Sequence, residues 1–416
     1  MSSCEPRIVV FSSLFPNVSQ PNAGVFIRER MFRVGETLPL KVVAPVPWFP
    51  FQKLLRTWKP HFRPDAPALE VQGGVEVFHP RFFSVPSIFK SLDGLFMALG
   101  SFPILWRLKR EFDFQIIDAH FAYPDGYAAT LLGRWFKVPV TITLRGTEAR
   151  LCQNSRSRLL MFKALSRASR IFAVADALKR TAIDIGIPES KIRVVGNGVD
   201  THKFQPIPRE VARQQLGLPI DGAMLVSVGG LCERKGFHRV IECLPDLKKA
   251  FPDLRYLIVG GASAEGDWSD RLKRQVVELG LSETVHFLGP MPSDRIKIPL
   301  SAGDIFVLAT RNEGWANVFL EAMACGLPVV TTDVGGNREV ICKEELGKLV
   351  PFDDRKALTE AMLEALYIAW EWEKITQYAQ SNSWDQRVAI LLDEFRKIAA
   401  WGERKPGVST ATTEGH

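Results

Sequence analysis

The chain has 416 residues, 46% hydrophobic and 24% charged, which is enough for two ordinary domains and too apolar for a disordered or collagen-like polymer. The formal net charge of +7 is uneven: residues 1–200 carry 27 Lys+Arg against 16 Asp+Glu, or +11, and the remainder carry 26 against 30, or −4. A basic first half suits anionic lipid or a phosphorylated partner as well as an ordinary charged surface, and pI alone is a poor argument for nucleic acid.

The N-terminus reads as lacking a secretory signal, because Met1 to Pro6 is short and polar and Arg7-Ile8-Val9-Val10-Phe11 already has the pattern of a buried strand. No apolar run reaches the roughly 18 residues of a membrane span. The most hydrophobic stretch, Leu92 to Leu108, is broken by Asp93, Ser101, Pro103 and Arg107. Six cysteines are scattered without C-x-x-C pairs or zinc-ligand spacing. Reduced thiols and a cytoplasmic protein are the expectation.

Strand-like and helix-like segments then alternate, the pattern of parallel sheets with crossover helices. In the first half strands are expected at 7–13, 40–46, 75–81, 115–120, 138–145, 170–173 and 191–195, with helices at 25–35, 92–111, 127–136, 159–168 and 177–185. Thr201 to Arg209, with Pro206 and Pro208, reads as an extended linker. The rhythm restarts with strands at 224–228, 255–259, 285–288, 305–309, 329–332 and 348–350, separated by helices such as 239–250, 271–279 and 356–367. A last amphipathic helix is expected over 384–401, followed by a polar tail, 402–416, with the composition of a disordered segment. The reading is therefore α/β, with two doubly wound domains, 1–200 and 201–383, and ligands at the carboxyl ends of their strands.

Four motifs sit at such strand ends. Glu313-Gly-Trp-Ala-Asn-Val-Phe-Leu-Glu321 follows the strand at 305–309, and Asn317 is placed to cap a helix that Gly326 and Pro328 stop. The N-terminus of that helix suits a phosphate, and the Glu313 and Glu321 carboxylates suit sugar hydroxyls. Gly229-Gly230-Leu-Cys-Glu-Arg234-Lys235-Gly236 joins a strand to a helix through glycines and two cations able to clamp a diphosphate. It has neither G-x-G-x-x-G spacing nor a P-loop. A long polar loop from Ser13 ends in Gly24 and leads into Arg28 and Arg30. Asp118-Ala-His120 and Asp125-Gly126 end another strand, where His120 serves equally as a structural or a reactive imidazole. Thr143-Leu-Arg145-Gly146-Thr147-Glu148 and Gly196-Asn197-Gly198-Val199-Asp200 also end strands.

Together these motifs resemble glycosyltransferase family 4, retaining enzymes of the GT-B architecture in which two Rossmann-like domains face across a cleft, and the likeness extends over about residues 7–400. The E-x7-E element with its Ala322-Met-Ala-Cys-Gly-Leu-Pro-Val-Val continuation carries it most specifically. The resemblance implies a hexosyltransferase acting in polysaccharide or glycolipid synthesis, with a UDP- or GDP-linked donor and a saccharide or lipid-linked acceptor. It implies that Arg234 and Lys235 neutralise the donor diphosphate, Glu313 contacts the hexose and Glu321 the ribose. Backbone after Trp315, at Asn317 and Val318, would approach hexose and phosphate, and Gly24 would let its loop close on the donor. His120 would lie at the reaction centre, and the final helix would complete the first domain. Arg145 stands where many relatives carry His within T-x-H-G. Asp125, Arg145 and Asn197 are candidates for the acceptor side of the cleft. No D-x-D-type metal site stands out, so neither metal nor cofactor is expected, and the leaving phosphate itself would help take the acceptor proton.

A sugar-nucleotide epimerase or a non-catalytic nucleotide-sugar sensor would use similar residues, whereas a phosphorylase lacks its lysine motif and a dehydrogenase its fingerprint. Peripheral contact with an anionic membrane is expected through Arg81-Phe82-Phe83 and the segment from Ile88 to Arg110, where apolar residues adjoin cations. Against that, Leu95, Phe96, Leu99, Ile104 and Leu105 serve equally as the buried face of a helix.

Overall fold

A computed structural model describes residues 5–21, 23–50, 52, 56, 65–86, 88–263 and 265–403. The chain divides into two compact units, residues 1–196 with 387–416, and residues 197–386. The expected linker at 201–209 falls inside the second unit, and Arg209 already opens a helix, Arg209–Gln215. The tail expected from residue 402 lies, from 404 onward, outside the described residues.

The strands of the first unit are β1 (Ile8–Phe11), β2 (Leu40–Val43), β3 (Val46–Trp48), β4 (Leu69–Gln72), β5 (Val75–Phe78), β6 (Arg81–Phe83), β7 (Ile116–His120), β8 (Val140–Leu144), β9 (Arg170–Ala173) and β10 (Ile192–Val194). Eight of them form one sheet in the order β10-β9-β8-β7-β1-β2-β5-β4. Every pairing in it is parallel except β4–β5. Strand order reverses between β1 and β7, so the connections leaving these two strands diverge and open a crevice at their carboxyl ends.

Two features depart from the expected elements. The single strand expected over 40–46 splits at Pro45, which has no N–H for a ladder, and β3 leaves to pair with β6 in a small separate sheet. Edge strand β4 was not anticipated; it returns through Gly73-Gly74, both at positive φ, as a tight hairpin requires.

The helix Val25–Gly35 lays Ile27, Met31 and Val34 on the sheet, and the last helix, Trp384–Glu403, adds Val388, Leu391 and Phe395 to the same core. Phe395 meets Phe172 edge-on, with centroids 5.9 Å apart. Buried Glu394 accepts from Arg170 at 2.6 Å and also pairs with Arg193. On the opposite side, helix Asp93–Glu111 buries Met97, Ala98, Ser101, Leu105 and Leu108. That spacing turns Leu95, Leu99, Phe102 and Trp106 outward. Of the five residues weighed as a buried face, Leu105 alone is buried, Phe96 and Ile104 are half-buried, and Leu95 and Leu99 are exposed.

The second unit is an all-parallel sheet of β11 (Met224–Val228), β12 (Arg255–Val259), β13 (Val285–Gly289), β14 (Ile305–Leu308), β15 (Val329–Thr332) and β16 (Gly347–Val350), ordered β13-β12-β11-β14-β15-β16. These strands are near-continuous apolar runs because both faces are covered by helices. Order reverses between β11 and β14. The two passages of the chain at the unit's border are tied together within it: Val199 N–H donates to Asn382 O and Trp384 N–H to Val199 O, each at 3.1 Å. A Cβ on Gly198 would lie 2.5 Å from the Trp384 nitrogen, so a larger residue cannot be seated there.

Candidate functional site

The sequence candidates gather in two groups, one at each reversal of strand order. In the second unit the loop after β11 carries Arg234 and Lys235 in one turn of 3-10 helix, Glu233–Lys235. Gly236 closes that turn at φ +75°, and a Cβ there would stand 1.9 Å from the Ala309 carbonyl oxygen at the end of β14. Only glycine lets this loop sit so low on the neighbouring strand. The loop after β14 is stitched to it, because Arg311 N–H donates to Arg234 O at 2.8 Å. The two motifs, far apart in sequence, therefore form one structure.

Its centre is Glu313, which is buried. One oxygen, Oε1, accepts from Lys235 Nζ at 2.7 Å, Arg234 Nη1 at 2.9 Å and Thr310 Oγ1 at 3.1 Å. Burial alone would raise this carboxyl, but Lys235 and Arg234 hold it below its usual range. The outer edge of the Arg234 guanidinium faces Glu265, which accepts from Nε at 2.7 Å and Nη2 at 2.6 Å. The arrangement is a paired fork, the geometry a phosphate would also use.

Asn317 does not cap its helix. Ala316 is the N-cap and makes no side-chain bond, and Asn317 is the first residue of the helix Asn317–Ala324. Its Oδ1 accepts from Asn197 Nδ2 at 2.9 Å, so its side chain braces the Gly196–Asp200 segment instead of its own helix. Backbone N–H groups at Asn317 and Val318 belong to the first helical turn, whose donors have no partner inside the helix. Trp315 and Glu321 flank this turn, both half-buried.

In the first unit the loop after β1 and the segment after β7 meet. Ser13 donates to Asp125 through its backbone N–H, to Oδ1, and through its hydroxyl, to Oδ2 at 3.1 Å. Burial pushes the Asp125 carboxyl up to about 6. Gly24 ends the loop at φ +69°, and a Cβ on it would lie 2.4 Å from Leu14 O, so the loop's return onto itself is what demands glycine.

His120 is fully buried. Its Nδ1 accepts from Arg145 Nε and Nη2, both at 3.1 Å, which leaves the ring proton on Nε2, 3.4 Å from Asp118 Oδ2. Burial, then the Arg145 and Arg30 charges, push His120 well below the usual histidine range. Asp118 is raised to about 6 by burial, against a 2.6 Å hydrogen bond from Thr141 and the pull of Arg30 and Arg145. Arg145 also stacks over Phe26 at 5.0 Å, and its backbone N–H joins that of Gly146 in donating to Glu148 Oε2, at 3.2 and 2.7 Å. The imidazole is thus tied to Arg145 at Nδ1, while buried Nε2 approaches Asp118 without making a hydrogen bond.

Sequence reading did not single out Glu265 or Thr310, and it named Arg30 only as the residue into which the loop after β1 leads. Thr310 lies three residues before Glu313 and Asp118 shares a strand face with His120, which are local signals; Glu265 follows another strand and leaves none. Among the described residues, no three or more His, Cys, Asp or Glu are grouped to hold a metal ion.

A family profile described as glycosyl transferases group 1 matches residues 208–382, and one for glycosyltransferase family 4 matches residues 60–203. TuaC of Bacillus subtilis, named for a glycosyltransferase role in teichuronic acid biosynthesis, is 28% identical over 398 residues, covering 93% of each chain. A D-inositol 3-phosphate glycosyltransferase of Corynebacterium urealyticum is 32% identical over 229 residues, 52% of this chain and 54% of its own length. Sucrose-phosphate synthase of Thermosynechococcus elongatus superposes with a TM-score of 0.78 at 18% identity, over 96% of this chain and all of that one. HepE of Anabaena, in a complex with UDP, superposes with a TM-score of 0.71 at 19% identity, over 94% of this chain and all of that one. The two family profiles together span more than half of the chain and the fold is that of the GT-B enzymes, so the protein belongs to the group 1, family 4 glycosyltransferases.

Proposed function

We propose that the protein transfers a hexosyl unit from a UDP- or GDP-linked sugar to a saccharide or lipid-linked glycan, with retention of anomeric configuration and without a metal ion. The observation that carries this reading is the Arg234–Lys235–Glu313 cluster, built at the switch point of the second sheet by two interlocked loops. Departure of a nucleoside diphosphate leaves negative charge on phosphate. Two preorganised cations and the first turn of the Asn317–Ala324 helix are suited to stabilise it. In this scheme Glu313 also orients the hexose, Glu321 takes the ribose, and Trp315, Asn317 and Val318 line the sugar–phosphate path. Gly24 shapes the loop that meets the donor, and Asp125, Arg145 and Asn197 position the acceptor side. His120, buried at the end of its strand, acts by holding the Arg145 guanidinium in place. Relatives named for teichuronic acid and inositol phosphate glycosylation support a polymer or glycolipid product.

The test is incubation with UDP- and GDP-hexoses, with and without acceptor glycan, in buffer containing excess EDTA. Nucleoside diphosphate is expected only when acceptor is present, with the product's anomeric configuration by NMR matching the donor's. Release without acceptor indicates an epimerase or hydrolase, and activity restored only by Mg²⁺ or Mn²⁺ overturns the metal-free scheme.

The acceptor is proposed to be met at an anionic membrane surface. Along helix Asp93–Glu111 and the turn before it, Phe89 is 65% exposed, Leu99 53% and Trp106 51%, and Lys90, Arg107 and Arg110 lie beside them. Such a face inserts apolar groups while its cations meet lipid phosphates. No helix among the described residues is long and apolar enough to cross a membrane. Flotation with phosphatidylglycerol vesicles is expected to carry the protein, and Leu99→Glu with Trp106→Glu to abolish it; no flotation of the wild type at low salt sinks the idea.

A further inference from the structure

A wide cavity of the second unit lies away from the cluster just described. Its volume is about 1160 Å³. Gly222-Ala223, Gly303-Asp304 and Leu327, which line it, come just before β11, β14 and β15, at their amino ends. Arg234, Lys235 and Glu313 come after β11 and β14, at the carboxyl ends. The cavity and the donor cluster therefore occupy opposite edges of one sheet, separated by the length of its strands.

Its walls have two characters. Part of the lining is aromatic and apolar: Phe251, Trp370 and Trp372, with Ile207 and Ile368. Trp370 is pinned by its Nε1–H to Ala365 O at 2.8 Å. Trp372 is 53% exposed, with the Arg209 guanidinium 5.9 Å from its ring centroid. The rest is polar: Glu373, Thr376, Gln377 and Gln380 lie on the helix Trp372–Ser381 at the spacing i, i+3, i+4, i+7, which is one face, and Trp372, four residues before Thr376, flanks that row on the same helix. Below them Asp304 is already engaged by Arg209, by Arg213 at 3.0 Å and by the Met224 N–H at 2.8 Å, so it anchors the floor.

An aromatic surface beside a row of amides and hydroxyls fits a ligand whose ring faces carry C–H groups and whose edges carry hydroxyls. An acyl chain would leave the polar row without partners, and a charged ligand would meet lining residues of both signs, Glu373 and Arg209. We propose that this cavity is a second saccharide site, holding a short segment of neutral glycan against Trp372 while Gln377 and Gln380 bind its hydroxyls. Its volume exceeds the roughly 300–1,000 Å³ of ordinary small-molecule pockets, which leaves room for several sugar units. The choice of ligand rests on the glycosyl-transfer reading; the existence of a site on this edge does not. A site remote from the chemistry would keep a growing or finished chain tethered to the enzyme between turnovers.

The experiment is saturation-transfer difference NMR on the full-length protein, with tetrasaccharides of glucose, galactose and mannose as probes and saturating UDP present. At least one probe is expected to bind, and Trp372→Ala and the double variant Gln377→Ala, Gln380→Ala to weaken it at least about tenfold. Trp372→Phe, which keeps a ring, is expected to retain most of the affinity, and Lys235→Ala to leave it unchanged. Circular dichroism confirms that each variant is folded. Binding lost in Lys235→Ala but kept in Trp372→Ala overturns the proposal, as does no binding by any probe. Binding without any glycosyl transfer would leave this site standing and remove the reading of the other one.

Discussion

Lys235 and Glu313 share a single contact on which the two most informative motifs converge: Nζ lies 2.7 Å from Oε1, the same oxygen that Arg234 and Thr310 use. Glu313 has a folded-state pKa below its ordinary value of 4.5, so its stabilising contribution is present above pH 4.5 and is lost as pH falls further. Glu313→Gln is expected to destabilise the protein by on the order of 2 kcal/mol at pH 7, because two cations lose their buried partner. Urea unfolding at pH 7 and pH 4 checks this; a difference that does not shrink at the lower pH contradicts it.

Arg234→Ala and Lys235→Ala are each expected to lower kcat/KM about a hundredfold or more, through lost stabilisation of charge on the leaving diphosphate. Arg234 and Lys235 are both partly exposed, so the melting temperature should move far less than the rate. Steady-state kinetics paired with thermal melts separate the two effects, and near-normal turnover in both variants would remove the assignment.

Glu265 occupies the Arg234 fork through two short bonds, at 2.7 and 2.6 Å. An incoming phosphate must compete with that carboxylate. Glu265→Gln keeps the shape and removes the charge, so nucleoside diphosphate is expected to bind several-fold more tightly, by roughly 1 kcal/mol. Isothermal titration calorimetry reads this directly. Weaker binding would mean that Glu265 assists the ligand.

His120 offers a pH signature. Its folded pKa lies well below 6.5, so its contribution is present above pH 6.5 and is lost as pH falls below that value. Asp118, raised to about 6, works in the opposite sense: its contribution is present below 3.8 and is lost as pH rises through 6. Wild type against His120→Gln therefore isolates the imidazole. Between pH 6.5 and 5 the wild type should lose stability relative to the variant, by at most about 1.4 kcal/mol per pH unit. Parallel stability–pH curves would show that His120 is not held neutral.

Much of the fold was legible because the strands at Met224–Val228, Arg255–Val259 and Val329–Thr332 are mostly apolar and almost wholly buried, as strands covered on both faces are. The helix Val25–Gly35 was equally clear from its periodicity. What the sequence hid is non-local. Pairing of β3 with β6 depends on where Pro45 breaks a ladder, and the outward turn of Leu95 and Leu99 depends on which face Met97, Ser101 and Leu105 find to pack on. Asn317 has the residue type of a helix cap but finds Asn197 instead. Glu265 joins Arg234 from a loop after another strand, a contact that no local pattern announces.

The last helix has a consequence for how the molecule is made. Val388, Leu391 and Phe395 complete the core of the unit whose first strand is Ile8–Phe11, and Arg170 and Arg193 share Glu394 as a partner. A ribosome that has finished β10 must still synthesise the whole second unit before those residues appear, on the order of ten to forty seconds at ordinary elongation rates. Throughout that interval the nascent first unit presents an open apolar face around Phe172, while the second unit, whose strands are contiguous in the chain, can close its own sheet. The unit translated first is thus the last to be sealed, and the nascent chain is a natural client for a chaperone that shields exposed hydrophobic surface.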